Sequence, residues 1–170
     1  GEGGQGMILA GIILAEAAAI YDGKNTIQTQ NYGPEARGGA SKAEVIISDE
    51  EIDYPKAMSV NLLLALTQAA ADKYGREVRP SGIVILDSTK VTTPPEGAFA
   101  VHRLPIIETA KESVGKIMVA NIVSLGAIVG LSKVVSRNAI ERAILARVPK
   151  GTEDLNRRAL EAGFGLVGAA

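Results

Sequence analysis

Residues 7–21, MILAGIILAEAAAIY, carry a single charge, Glu16, and follow directly on the glycine-rich run GEGGQG at residues 1–6. No other feature constrains the fold as tightly. A helix that is apolar nearly all round must be covered on most sides. At about 15 residues this run falls short of the roughly 20 apolar residues that a membrane crossing needs. Residues 117–131 are equally short and contain Asn121 and Ser124. Both runs are therefore expected as buried helices of an α/β core. No basic segment precedes the first of them, so a secretory signal is not expected.

The rest of the chain alternates. A first helix is predicted over residues 6–21, ended by Asp22-Gly23, where glycine suits a helix C-terminus. NTIQTQ (25–30) reads as a β-prone strand, and SKAEVIIS (41–48) as a strand that alternates and then turns apolar. SVNLLLALTQAAADKY (59–74) carries a helical period closed by Gly75. IVILD (83–87) suits a central strand buried on both faces, and GAFAVHRLP (97–105) a strand ended by Pro105. Helices are predicted at residues 106–113, 116–130, 136–147 and 152–163. The fold class is α/β: a mostly parallel sheet covered by helices, with a Rossmann-like glycine loop and a C-terminal helical cluster. The 170 residues form one domain, 1–170, with no repeat, linker or low-complexity tract.

Composition removes several function classes. Lys plus Arg number 18 and Asp plus Glu 19, a net charge of −1, so no global basic field draws nucleic acid or an anionic membrane. The chain has no cysteine, which excludes disulfides, thiolate zinc sites and any cysteine-ligated iron–sulfur cluster held by this chain. Absence of disulfides fits a cytoplasmic protein. The one histidine, His102, cannot build a multi-histidine metal site. Beside Arg103, near a strand end, it reads as a structural or surface group. Apolar residues make up 46% of the chain, and three predicted helices are apolar over most of their circumference. That surplus predicts at least one large interface with another chain.

Two glycine-rich loops carry what specific chemistry there is. Gly1, Gly3 and Gly6 satisfy G-x-G-x-x-G, which in dinucleotide folds brings backbone N–H groups and a helix N-terminus up to a pyrophosphate. Such a site also wants an acid about 20 residues further on. The sequence there reads Thr26, Ile27, Gln28, Thr29, Gln30, Asn31, with no acid before Glu35, so a conventional NAD site is not favoured. Gly4 and Gln5 put an amide at the loop tip, which suits a ligand or a partner's backbone; tight helix packing is the other reading. The second loop, YGPEARGG at 32–39, sets Tyr32, Glu35 and Arg37 among Gly33, Pro34, Gly38 and Gly39. Arginine is suited to bidentate contact with carboxylate or phosphate. The bland alternative is a surface turn with a Glu35–Arg37 ion pair worth little.

GEGGQGMILAGIILAEAA followed by QNYGPEARGGASKAEVIIS closely resembles the gamma subunit of 2-oxoacid:ferredoxin oxidoreductases. NIVSLGAIVGL from Asn121 and VPKGTEDLNRRALEAG from Val148 extend the resemblance over essentially the whole chain. Within that family, YGPEARGGASKAEVIIS followed by IDYP is most like the 2-oxoglutarate branch. Family members usually carry a short strand before the first loop, and this sequence lacks it.

The resemblance implies a complex that oxidatively decarboxylates a 2-oxoacid. Thiamine diphosphate attacks the keto carbon, carbon dioxide leaves, electrons pass singly through [4Fe–4S] clusters to ferredoxin, and coenzyme A takes the acyl group. Thiamine diphosphate, its Mg and the clusters are implied on alpha, beta and delta subunits, so this chain would be silent alone. The implied role of the loops is to face those partners, near the thiamine pocket or the coenzyme A route. Gly1, Gly3, Gly4, Gln5, Gly6, Tyr32, Gly33, Glu35, Arg37, Gly38, Gly39 and Asn121 are the candidate cofactor-binding residues. In this reading both loops lie at the carboxyl edge of the sheet, backbone N–H groups of residues 3–6 meet a phosphate, Glu35 orients Arg37, and Asn121 braces a loop. A stand-alone nucleotide-binding Rossmann-like protein, a non-catalytic scaffold subunit, and a relative acting on aryl 2-oxoacids remain as alternatives.

Overall fold

The computed structural model describes residues 1–32, 39–57 and 59–168. The apolar run forms helix α1 (Met7–Glu16), continued by a π-helical stretch Ala17–Tyr21. Ile13, Ala17 and Ala18 are completely buried. Asp22 and Gly23 end the helix as expected, with Gly23 at φ 67°. A two-stranded antiparallel hairpin follows, β1 (Asn25–Tyr32) with β2 (Ser41–Ser48), in uninterrupted register from Asn25↔Ser48 to Tyr32↔Ser41. It packs on α1 at Gly11, where an added Cβ would stand 2.8 Å from the Ala43 Cβ.

The remaining strands form a separate parallel sheet in the order β3 (Val60–Ala65), β4 (Val78–Asp87), β5 (Ala100–Leu104). The parallel part of the expected sheet is thus three strands, and the hairpin stands apart from it. The helix predicted over 59–74 is corrected: VNLLLA is a strand, and only α2 (Gln68–Tyr74) is helical. A short apolar run has no periodicity that separates a buried strand from a buried helix. The break falls at Thr67, whose side chain caps α2 by accepting the Ala70 N–H at 3.2 Å. Strand β4 begins five residues before the predicted 83, passing Pro80-Ser81-Gly82 with Ser81 at φ 65°.

Asp87 is wholly buried at the carboxyl end of β4. Its carboxylate accepts the N–H groups of Thr89 and Lys90 at 3.0 Å, the Thr89 hydroxyl at 2.6 Å, and the Ile107 N–H at 2.8 Å. It thereby fixes the start of α3 (Ile106–Glu108), which runs on as a π-helix to Ser113. The turn Ile117–Val119 leads into α4 (Ala120–Ser132), buried through most of its length. Helices α5 (Arg137–Arg147) and α6 (Glu153–Gly168) close the structure. Ser136 caps α5 by accepting the Ala139 N–H at 3.1 Å, while Asp22 accepts its hydroxyl and N–H at 2.7 and 2.6 Å.

The main core lies where α1, α4, α5 and α6 meet Leu66, Ile85 and Leu104 of the sheet region. Each wholly buried Ile or Leu there contributes about 1.5–3 kcal/mol. Helices α4 and α6 approach through glycine: a Cβ on Gly163 would fall on the Val123 carbonyl, and one on Gly126 would stand 2.9 Å from the Gly163 Cα. Among the described residues no helix is long and apolar enough to cross a membrane.

Candidate functional site

The first loop is a closed, hydrogen-bonded turn. Gly4 (φ 92°) and Gly6 (φ 72°) occupy the left-handed region, which side-chain-bearing residues enter at a cost. The amide of Gln5 is not extended as a tip: its carbonyl oxygen turns back to accept the Glu2 N–H at 2.8 Å. The Gln5 N–H goes to the Glu2 carbonyl at 3.2 Å, and the Gly3 N–H to the Gly39 carbonyl at 2.7 Å. Two of the four N–H groups expected to face an anion are therefore spent inside the fold. Among the described residues, the N–H groups of Gly4, Gly6 and the first turn of α1 are the loop's remaining donors, those of the first turn having no intrahelical acceptor. That first turn holds no acidic residue and no side-chain cap.

The two glycine loops meet. Glu2 and Ala40 form an antiparallel bridge, and the Ser41 N–H donates to the Gly1 carbonyl at 2.8 Å. Gly39 and Ala40 thus continue β2 into a short ladder with residues 1–3. Tyr32 ends β1 opposite Ser41. Gly33, Glu35, Arg37 and Gly38 lie outside the described residues.

Asn121 reaches the first loop from the start of α4. It is 6% exposed. Its Oδ1 accepts the Ile122 N–H at 2.9 Å, and its Nδ2 points to the Gly6 carbonyl at 3.5 Å. A Cβ added to Gly6 would stand 2.7 Å from that Nδ2. Gly6 must be glycine twice over, for its backbone and for Asn121. His102 sits half-buried in β5, paired in register with Ile85. Its neighbour Arg103 donates to the carbonyls of Val91 and Thr92 at 2.9 and 3.2 Å.

Sequence reasoning missed a groove of about 830 Å³ beside the hairpin end. Its walls are Thr29–Asn31, Lys42 and Glu44 of the hairpin, Lys56 and Ser59 before β3, and Arg76–Pro80 at the start of β4. The hairpin end that carries the second loop therefore borders the amino ends of β3 and β4. The flanking residues Asn31 and Lys42 thus stand on the amino side of the parallel sheet, where the expectation was its carboxyl edge. The rule for open sheets concerns loops that follow parallel strands; the second loop joins two antiparallel ones. Four cations, Lys42, Lys56, Arg76 and Arg79, face two carboxylates, Glu44 and Glu77. Lys42 binds Glu44 at 2.7 Å and lies 4.9 Å from the centre of the Tyr74 ring. The hydrogen bond to Glu44 raises the Lys42 ammonium above its ordinary range. The signal in the sequence was there only as scattered Lys and Arg, brought together by the hairpin.

The arrangement contains backbone donors, a cationic groove and an amide brace. Among the described residues no group of three or more His, Asp or Glu gathers as a metal site.

Known proteins give the arrangement its context. 2-Oxoglutarate synthase subunit KorC of Methanocaldococcus jannaschii is 49% identical over 166 residues, 96% of this chain and 89% of that protein. The crystal structure of the gamma subunit of a keto/oxoacid ferredoxin oxidoreductase from Geobacter sulfurreducens superposes with a TM-score of 0.89 at 53% identity, covering 99% of this chain and 95% of that one. Ketoisovalerate oxidoreductase subunit VorA of Methanothermobacter thermautotrophicus is 35% identical over 168 residues, which are 96% of this chain but only 34% of VorA. The pyruvate ferredoxin/flavodoxin oxidoreductase family is matched over residues 1–166, and the chain belongs to that family.

Proposed function

We propose that this chain is the gamma-type subunit of a 2-oxoacid:ferredoxin oxidoreductase that converts 2-oxoglutarate and coenzyme A to succinyl-CoA and carbon dioxide, with two electrons passing to ferredoxin. The observation that carries this reading is near-full-length identity of 49% to a 2-oxoglutarate synthase subunit. A cytoplasmic location goes with it.

The chemistry of the family belongs to thiamine diphosphate and iron–sulfur clusters. Without cysteine this chain has no thiolate to hold a cysteine-ligated cluster, so no electron-transfer step is routed through it. In this reading thiamine diphosphate, its Mg and the [4Fe–4S] clusters sit on the alpha, beta and delta subunits. The chain contributes surface. Its first loop offers the N–H groups of Gly4, Gly6 and the first turn of α1 to a phosphate or to a partner's carbonyl. Tyr32, Gly33, Gly38 and Gly39 shape the second loop, in which Arg37 pairs with a phosphate or partner carboxylate and Glu35 orients it. Gly1, Gly3 and Gln5 hold the first loop in shape, and Asn121 braces it from α4.

The test is to tag the chain in its native host, purify what it holds, and follow reduction of a viologen dye with coenzyme A and each of 2-oxoglutarate, pyruvate and branched-chain 2-oxoacids. Copurified thiamine- and cluster-bearing chains with fastest reduction by 2-oxoglutarate support the reading. Preference for another 2-oxoacid removes the substrate assignment alone. A chain that comes down by itself and reduces nothing removes the complex. Arg37→Ala in the intact complex then separates a working loop, which loses turnover, from a scaffold, which keeps it.

A further inference from the structure

Met118 is 79% exposed, the most exposed large apolar side chain among the described residues, and its neighbour Ile117 is 56% exposed. Both sit in the turn Ile117–Val119 that opens α4. Three residues further on, Asn121 touches Gly6; three residues beyond Gly6, Leu9 is 38% exposed on α1. Leu9, Ile12 and Glu16 share one face of α1 by their spacing, and Glu16, the only charge among them, is paired with Arg147. The Gly6–Asn121 contact is thus flanked on both helices by uncovered apolar side chains.

Large apolar side chains gathered at such exposure mark a surface that another molecule covers. The kind of molecule follows from chain lengths. In VorA from two Methanothermobacter species this domain occupies 34% of a longer polypeptide. There the remaining two thirds is held beside the domain by covalent connection, at high effective concentration. In the present case the domain is matched nearly end to end by separate subunits. A contact that loses its covalent tether must be held by side chains, and buried apolar anchors are what hold permanent interfaces.

We propose that Ile117 and Met118 are the anchor through which this chain docks the separate subunit equivalent to the part of VorA outside the shared domain. The inference rests on the reading of this chain as a subunit of such a complex. It also places the first glycine loop next to that subunit, since the anchor and the loop share the start of α4.

Two measurements on the tagged complex test this. First, p-benzoylphenylalanine is placed at position 118 and, as a control, at position 96 on the exposed segment before β5; the irradiated products are identified by mass spectrometry. The expected result is a crosslink from 118 to a chain whose sequence aligns with VorA outside the shared domain. Second, Ile117→Asp/Met118→Asp is compared with the parent for retention of that chain. Both side chains are exposed, so far-UV circular dichroism should be unchanged while retention falls about tenfold or more. A crosslink to a second copy of this chain, a crosslink only to a subunit unrelated to VorA, no crosslink in an intact complex, or unchanged retention each overturns the docking assignment. If the untouched chain brings down no oxidoreductase subunit, the complex itself is refuted and the docking with it. An intact, active complex with position 118 silent refutes only the docking.

Discussion

Replacing Gly6 by alanine should destabilise the chain by an amount with two separable parts. The first is conformational. Gly6 stands at φ 72°, and an L-residue there costs about 1–2 kcal/mol. The second is steric and polar. The new Cβ would meet Asn121 Nδ2 at 2.7 Å and Cγ at 3.0 Å, so the nearly buried amide must turn away. That breaks the bond from the Ile122 N–H at 2.9 Å and the longer one to the Gly6 carbonyl, at about 0.5–1.5 kcal/mol for a bond of ordinary geometry. The sum is about 1.5–3.5 kcal/mol, which for a chain of this size lowers Tm by about 3–14 °C. Urea unfolding followed by circular dichroism, on Gly6→Ala, Asn121→Ala and the double variant, reads both parts. With Asn121 truncated the obstacle is gone, and Gly6→Ala should cost only the conformational share. An equal cost in both backgrounds, within about 0.5 kcal/mol, would refute the bracing contact. A total cost below about 1 kcal/mol would refute the backbone argument as well.

Other substitutions probe other links. Gly163→Ala drives a methyl into the Val123 carbonyl and should cost about 1–3 kcal/mol or more; Gly165→Ala, on the same helix with nothing within 4 Å, should stabilise by about 0.5–1 kcal/mol. Opposite signs in thermal melts are the check. Lys133 closes α4 at φ 55°, so Lys133→Gly should raise stability by about 1 kcal/mol in the same melts. Lys42 is held charged by Glu44, with a folded pKa above the ordinary 10.5. The stability it contributes is present below that pH and fades as pH rises through the folded value. The urea midpoints of the parent and Lys42→Met should therefore differ at neutral pH and converge in strong alkali; a gap unchanged there would discredit the ion pair.

What could be read from the sequence was what short-range chemistry dictates. The first helix, its stop at Asp22-Gly23, the strand at 41–48 and the C-terminal helices are local matters of apolar period and turn residues. The 59–74 segment failed because a run as short as VNLLLA has no periodicity that separates strand from helix, leaving Thr67, a cap whose meaning depends on where the helix begins. Gln5 was misjudged for a related reason. An amide between glycines looks outward in one dimension, but positive φ at Gly4 and Gly6 curls the loop so that the amide meets the Glu2 N–H. The groove was invisible because Lys42, Lys56 and the Arg76–Arg79 stretch lie on separate segments that only the hairpin's position brings together. Asn121 was legible, since an amide in an apolar helix must find a partner, and one of the loops was the expected partner; which of the two was not legible.

Helix α4 links the parts that matter for assembly. Its first turn carries Asn121, against Gly6 of the first loop, and the turn before it carries Ile117 and Met118. One to three turns later Gly126 and Gly130 lie so close to α6 that even a methyl at Gly126 would meet backbone. A helix seated by backbone contact cannot slide to absorb a change at its end, because close-packed interiors transmit displacement. A partner that grips Met118 therefore grips the element that sets the height of Gly6. This gives a physical reason for a subunit of the complex to carry so constrained a loop. The loop's donors and the docking turn are held at one fixed separation by a single buried helix, so binding the partner also positions the donors. Widening the α4–α6 seam by Gly163→Ala should then weaken turnover of the complex more than it weakens subunit retention, and a loss of both in equal proportion would argue that the seam serves stability alone.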